Sequence, residues 1–246
     1  HIYFAEHIDV SACLDFIKTR FDAENIAFEV MENKVEEDDF ANNWKQYYKP
    51  LKIKNITVVP EWEDYKASDG ETVLRIDPGV AFGTGNHETT SLCVEKLQET
   101  VKKGDKVLDL GCGSGILSIA SLLLGASAVD AVDIDPNAVK ISKENASLNK
   151  FDGVFRAETG NVLEKGSGIF GFVGKGYNVV VANIVADVLI RICSFIKEHT
   201  APGAYFILSG IICERCGEVE KALKDNGFTI EDIAEKRGWN CIVARA

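Results

Sequence analysis

Between Asp109 and Gly115 the chain reads Asp-Leu-Gly-Cys-Gly-Ser-Gly. Glycine at every second position lets backbone amides approach a ligand, because no Cβ stands between chain and guest. A carboxylate just ahead of such a turn suits a ligand that carries an ammonium group. Asp133 ends the next expected strand, twenty-two residues beyond Gly111, where a carboxylate can accept both hydroxyls of a ribose. Dinucleotide-binding turns instead run G-x-G-x-x-G and cradle a pyrophosphate. The spacing Gly111, Gly113, Gly115, with Asp109 inside the strand end, fits an adenosine bearing a sulfonium and an amino acid. That ligand is S-adenosylmethionine, whose product after methyl transfer is S-adenosylhomocysteine. Asp135 before Pro136 has a structural explanation, as the N-cap and first-turn proline of the following helix.

Other constellations carry less chemistry. Cys213 and Cys216 have metal-like spacing, but a zinc site needs four ligands and no second Cys or His pair lies nearby, so no metal is expected. The seven cysteines are an odd set scattered through apolar contexts, which suits buried free thiols in a reducing compartment. No basic segment followed by an apolar stretch and a cleavage site opens the chain, and a cytoplasmic location is expected. The chain starts at His1, and natural sequence is expected ahead of it. A net charge of −11 repels phosphate backbones, so no direct nucleic-acid contact is expected, whereas a basic protein partner would be attracted. No segment is apolar for long enough to span a membrane.

The elements that must position these residues follow from hydrophobic spacing. Cys13, Leu14, Ile17 and Phe21 recur as on a helix, Ile26, Phe28 and Val30 alternate as on a strand, and Ile53 to Val59 reads as a further strand between Pro50 and Pro60. From about residue 63 strands alternate with helices, the mark of a doubly wound, mostly parallel sheet covered on both faces. Strands are expected at 107–110, 128–133, 177–184, 204–208, 228–233 and 241–244. Helices are expected from Ile116 to Leu124, from Pro136 to about Leu148, from Ala186 to the Pro202-Gly203 break, and through Val219 to Leu223. Residues 153–176 hold seven glycines and read as a mobile stretch, a surface insertion rather than a lid. The expected division is a small N-terminal α+β domain over residues 1–62 and an α/β domain over residues 63–246.

Two further segments carry a resemblance. Asp77-Pro-Gly-Val-Ala-Phe82-Gly-Thr-Gly-Asn-His87-Glu-Thr-Thr90 is too rich in glycine for a core strand and too specific for a generic linker, and Val181-Ala-Asn183-Ile-Val-Ala186 ends the fourth strand. With the Asp109 to Gly115 turn, Asp133-Ile-Asp-Pro136 and Trp44-Lys-Gln-Tyr-Tyr-Lys-Pro50, they resemble the ribosomal-protein methyltransferase family called PrmA. The resemblance runs from about Asp38 to the C-terminus. It implies a seven-stranded Rossmann-like methyltransferase sheet and a protein N-methyltransferase acting on lysine side chains and the N-terminal amine of ribosomal large-subunit protein eleven. By the family's pattern, Thr90, Gly111, Asp133 and Asn183 match cofactor contacts. Asn86 and Glu88 stand where threonine and proline are more usual, and Val185 replaces a usual leucine. The N-terminal domain is expected to be shorter than the family's substrate-recognition domain.

Amine methylation is an in-line displacement that needs a neutral nitrogen lone pair held about 3 to 3.5 Å from the methyl carbon. Asn183, at a strand's C-terminal end, can orient that amine with its side-chain carbonyl and also touch the cofactor. Phe82, Gly83 and the loop to Thr90 are expected to close over the methionine half, with Asp109, Gly111, Gly113, Gly115 and Asp133 beneath and beside it. His87 reads either as a base for the amine proton or as a hydrogen-bonding prop. The competing reading keeps the donor and changes the acceptor to another protein, a small amine or an RNA base. A monomer is expected.

Overall fold

The computed structural model describes residues 48–77, 87–164 and 169–246, with Leu14 and Phe21 besides. Of the expected helix over 11–21 only Leu14 and Phe21, both helical, are described, and the strand at Ile26 to Val30 lies outside the described residues. The chain divides into two compact units, His1–Tyr47 and Tyr48–Ala246.

The second unit opens with a three-stranded sheet. β1 (Leu51–Ile53) and β2 (Ile56–Pro60) form an antiparallel hairpin, and β3 (Thr72–Ile76) lies parallel to β2. The apolar run that reads as one strand is therefore broken in two. Lys54 and Asn55 are polar, and Lys54 takes φ of 52°, which turns the chain back on itself. The buried face of this sheet (Ile53, Ile56, Val58, Leu74, Ile76) packs on Leu92 and Leu97 of helix α1 (Glu88–Thr100) and on Ile116 and Leu117 of helix α2 (Ile116–Leu123). These strands before residue 62 thus share a core with elements well beyond it.

The main sheet has seven strands in the order β6-β5-β4-β7-β8-β10-β9. β4 (Lys106–Leu110), β5 (Ala128–Asp133), β6 (Val154–Thr159), β7 (Tyr177–Asn183) and β8 (Thr200–Ile212) are parallel, and β10 (Trp239–Arg245) runs antiparallel between β8 and β9 (Thr229–Lys236). The order reverses between β4 and β7, and ligands bind at the carboxyl ends of strands at such a reversal. One face is covered by α1, α2 and α3 (Pro136–Ser147), the other by α5 (Ala186–His199) and α6 (Cys216–Asp225). Every residue of α2 from Ile116 to Leu122 is buried, as its all-round apolar sequence requires.

Two further expectations change. Residues 154–159, read as part of a mobile stretch, form the edge strand β6, and a short helix α4 (Ile169–Phe172) includes Gly171. As an edge strand β6 is mostly exposed, so it lacks the continuous apolar run that marks the central strands. The stretch is pinned to the sheet from below. The Tyr177 hydroxyl donates to Asp130 at 2.6 Å and accepts from Gly174 N–H at 2.9 Å, while Arg156 pairs with the other Asp130 oxygen at 2.7 Å. Burial first, and then the Asp130 hydrogen bond, push the Tyr177 hydroxyl well above its usual range. Secondly, Pro202-Gly203 does not separate a helix from a strand. Both residues lie within β8, in a bulge between the pairs Tyr177↔Thr200 and Val179↔Tyr205, with Gly203 at φ of 73°.

Candidate active site

Three strand ends and one helix start converge at the reversal. β4 runs into the glycine turn, β5 ends on Asp133, β7 ends on Asn183, and α1 begins beside them at His87. In the turn all three glycines have positive φ: 78° at Gly111, 51° at Gly113 and 83° at Gly115. Two are demanded by the protein's own close approaches. A Cβ on Gly111 would lie 2.4 Å from Ile184 Cγ2, and one on Gly115 would lie 2.9 Å from Ser142 Cβ. Several turn amides are also used internally. Gly111 and Cys112 N–H donate to Val132 O, Gly115 N–H donates to Cys112 O, and Gly113 N–H donates to Asp133 Oδ2 at 2.9 Å.

Asp133 therefore braces the turn. Its second oxygen accepts from Asp135 N–H at 3.0 Å, and each oxygen keeps lone-pair capacity for a further donor. Asp135 in turn caps α3, accepting from Asn137 N–H at 2.9 Å ahead of Pro136. Ile134, between the two acids, is 74% exposed, an unusual position for a large aliphatic side chain. Asn145 on α3 ties the turn to the strand before it, donating to Ser114 O at 2.9 Å and accepting from Asp77 N–H at 2.8 Å.

Asp109 is fully buried. Its Oδ2 accepts from the Ser118 hydroxyl at 2.6 Å, whereas Oδ1 is buried without a hydrogen-bond partner. Burial pushes this carboxyl up to about 7, the Ser118 hydroxyl acts against that shift, and the Asp133 charge adds to it.

Asn183 and Thr90 meet across the site. The Asn183 Nδ2 donates to Thr90 Oγ1 at 3.2 Å, and the Asn183 carbonyl oxygen is buried with no partner. Thr90 is held by α1, whose N-cap is His87: its Nδ1 accepts from Thr89 N–H and lies 2.8 Å from Thr89 Oγ1. The His87 ring also packs edge-on to Trp239, with centroids 4.9 Å apart. The β9–β10 hairpin grips α1 further through Arg237–Glu88 at 3.0 Å, Lys236–Ser91 at 3.0 Å and Lys96–Asp232 at 2.8 Å. The structure thus brings Thr90, Asn183, Asp109, Asp133 and the three glycines to one end of the sheet and sets His87 in the helix cap. Phe82 and Gly83 lie outside the described residues.

One contact has no counterpart in the sequence reasoning. Ile184, directly after Asn183, is wedged between the glycine turn and Gly210 of β8. Gly210 has φ of 83°, and a Cβ there would lie 2.5 Å from Ile184 O. Ile184 N–H donates to Ser209 O at 3.1 Å, which fixes the peptide that follows Asn183. The glycine at 210 was the available signal, but a single glycine inside a strand pattern has several explanations.

The sequence profile described as ribosomal protein L11 methyltransferase (PrmA) matches residues 1–246. A ribosomal protein L11 methyltransferase of Caldicellulosiruptor saccharolyticus is 40% identical over 248 residues, covering 99% of this chain and 79% of that protein. Another, from Caldanaerobacter subterraneus subsp. tengcongensis, is 42% identical over 252 residues, covering 99% and 78%. The chain belongs to the ribosomal protein L11 methyltransferase family. The crystal structure of a ribosomal protein L11 methylase from Lactobacillus delbrueckii subsp. bulgaricus superposes with a TM-score of 0.70 at 32% identity, covering 80% of this chain and 98% of that one.

Membership of this methyltransferase family makes S-adenosylmethionine the methyl donor. The residues present fit it. A positive-φ glycine turn, a braced carboxylate at the end of β5, an exposed aliphatic side chain beside it and the Asn183 oxygen, buried without a partner, meet at one end of the sheet. The turn, Asp133, Thr90 and Asn183 would hold the donor. Of the family departures, Glu88 sits in the first turn of α1, where its own backbone N–H and then Arg237 hold its carboxyl below the usual range. Val185 begins α5 and is 63% exposed. Among the described residues no group of three or more His, Cys, Asp or Glu is placed to hold a metal, and no helix is long and apolar enough to cross a membrane.

Proposed function

We propose that this chain transfers methyl groups from S-adenosylmethionine to amines of ribosomal protein L11, both lysine side chains and the N-terminal amino group. When bound, the donor supplies an electrophilic methyl group on a sulfonium. The observation that carries the acceptor chemistry is Asn183. Its amide nitrogen is spent on Thr90, which fixes the rotamer, and its carbonyl oxygen is buried with a free lone pair. A buried acceptor of this kind costs about 1–3 kcal/mol when unmet, and an amine N–H satisfies it. Accepting that N–H turns the nitrogen lone pair toward the crevice and selects the neutral amine, since a desolvated site disfavours the ammonium.

His87 acts in this reading through structure. Its Nδ1 holds the first turn of α1, and so keeps Thr90 in register with Asn183. In this reading the unit ahead of Tyr48 serves substrate recognition and the unit Tyr48–Ala246 serves transfer. The chain acts in the cytoplasm as a monomer. Transfer of labelled methyl groups to purified, unmethylated L11, run beside ribosomal RNA and free lysine, tests the proposal. Label entering L11 alone is the expected result. Label entering RNA or free lysine in preference to L11 would overturn it.

A further inference from the structure

The chemistry above gives Asp109 no task, although it lies at the centre of the site. Its carboxylate is fully buried at the end of β4, under the turn, with one oxygen on Ser118 and the other without a partner. Among the described residues, the ionisable groups that face it offer no positive charge. β5 brings Asp133, the turn brings Cys112, and α1 brings Cys93. Among the described residues none of the ion pairs of lysine, arginine or histidine includes Asp109. An isolated buried carboxylate is costly, and proteins meet that cost by protonating the group or by pairing it with a cation.

We infer that Asp109 holds a proton in the ligand-free protein and releases it when the methyl donor, which carries a sulfonium and an ammonium group, settles on the Gly111–Gly115 turn. The inference rests on the donor reading given above. Because the side chain is covered on every side, Asp109 is a positioning charge rather than a ligand contact, and it acts through the low-dielectric interior. The upward shift of its carboxyl to about 7, caused first by burial, places the exchange near neutrality. The ligand-free state binds more protons than the bound state, so binding must tighten as pH rises toward 7 and level off above it.

Isothermal titration of the full chain with S-adenosylmethionine alone, without acceptor, tests this in buffers of different ionisation enthalpy. Working at pH 6 and pH 7 keeps the ligand's α-amino group, with a pKa of about 7.7–8.0, mainly charged. Linkage to a group near 7 predicts release of about 0.9 proton at pH 6 and about 0.5 at pH 7, with affinity rising about fivefold between them. In Asp109→Asn the release disappears and affinity becomes flat across the window, which assigns the proton to Asp109 rather than to His87. Tight binding by the parent chain with no buffer-dependent enthalpy would overturn the inference, even if the variant failed to fold. Release that persists in Asp109→Asn would overturn it too. Absence of any binding would instead defeat the donor reading beneath it.

Discussion

Gly210→Ala perturbs the site without altering a group that meets a ligand. A Cβ at Gly210 would lie 2.5 Å from Ile184 O, 2.9 Å from its C and 3.1 Å from its N, whereas ordinary contact starts at 3.4 Å. The Ile184 carbonyl must therefore yield by about 1 Å. It cannot move freely, because Ile184 Cγ2 already fills the space beside Gly111, 2.4 Å from where a Cβ would stand. The displacement passes back to Asn183, whose peptide is fixed by Ile184 N–H on Ser209 O. The left-handed backbone costs a non-glycine residue about 1–2 kcal/mol, and overpacking adds about 1–3 kcal/mol. Misplacing a reacting group by about 1 Å costs on the order of a hundredfold in rate. Gly227→Ala is the matched control: its φ of 76° carries the same backbone penalty, but nothing lies within 4 Å of the added Cβ. Urea unfolding and initial rates on L11 at saturating donor, measured for both, separate strain from displacement. The expected result is a loss of about 1–2 kcal/mol with an unchanged rate for Gly227→Ala, and a larger loss with a rate near one hundredth for Gly210→Ala. A Gly210→Ala rate within about twofold of the control would refute the transmission from β8 to Asn183.

Other perturbations address single residues. Asn183→Ala should lower turnover by on the order of a hundredfold while donor affinity, titrated separately, falls less than about tenfold; unchanged turnover would reject its orienting role. His87→Ala removes a helix cap and should destabilise by about 1 kcal/mol, with the pH profile of turnover keeping its shape; loss of one limb of that profile would restore the base reading. Asp109 also links stability to pH. Its folded-state pKa is raised to about 7, so its contribution is present below about 4, the unfolded value, and is lost as pH rises through 7. Asp109→Asn should therefore gain stability relative to the parent at pH 8 compared with pH 4, by a few kcal/mol at most, and equal effects at both pH values in urea melts would refute the shift.

The parts of this fold legible in the sequence are those where local signals agree. β7 carries a short apolar run, α3 carries an N-cap and a first-turn proline, and α2 ends near a glycine; each stands within a residue or two of where its spacing places it. Elements whose pattern is set by their place in the sheet were harder to read. β6 is an edge strand with little burial, and the β1–β2 hairpin depends on one lysine at positive φ. In the site, the residue types were legible and their partners were not. The motif points to Asp133 and the glycines, but pairings such as Gly113 with Asp133, or Thr90 with Asn183 ninety-three positions away, are products of topology. The glycine turn shows the difference most clearly. Its glycines suggest room for a ligand, and at 111 and 115 they make room for Ile184 and Ser142.

In the proposed function this chain methylates amines of L11. Intact-mass spectrometry of unmethylated L11 after incubation with the chain and S-adenosylmethionine, followed by peptide mapping, tests it most directly. Mass gains of whole methyl groups are expected, mapping to lysine side chains and the N-terminal amine and strongly reduced with Asn183→Ala. An L11 mass that stays unchanged while the chain binds S-adenosylmethionine would contradict it.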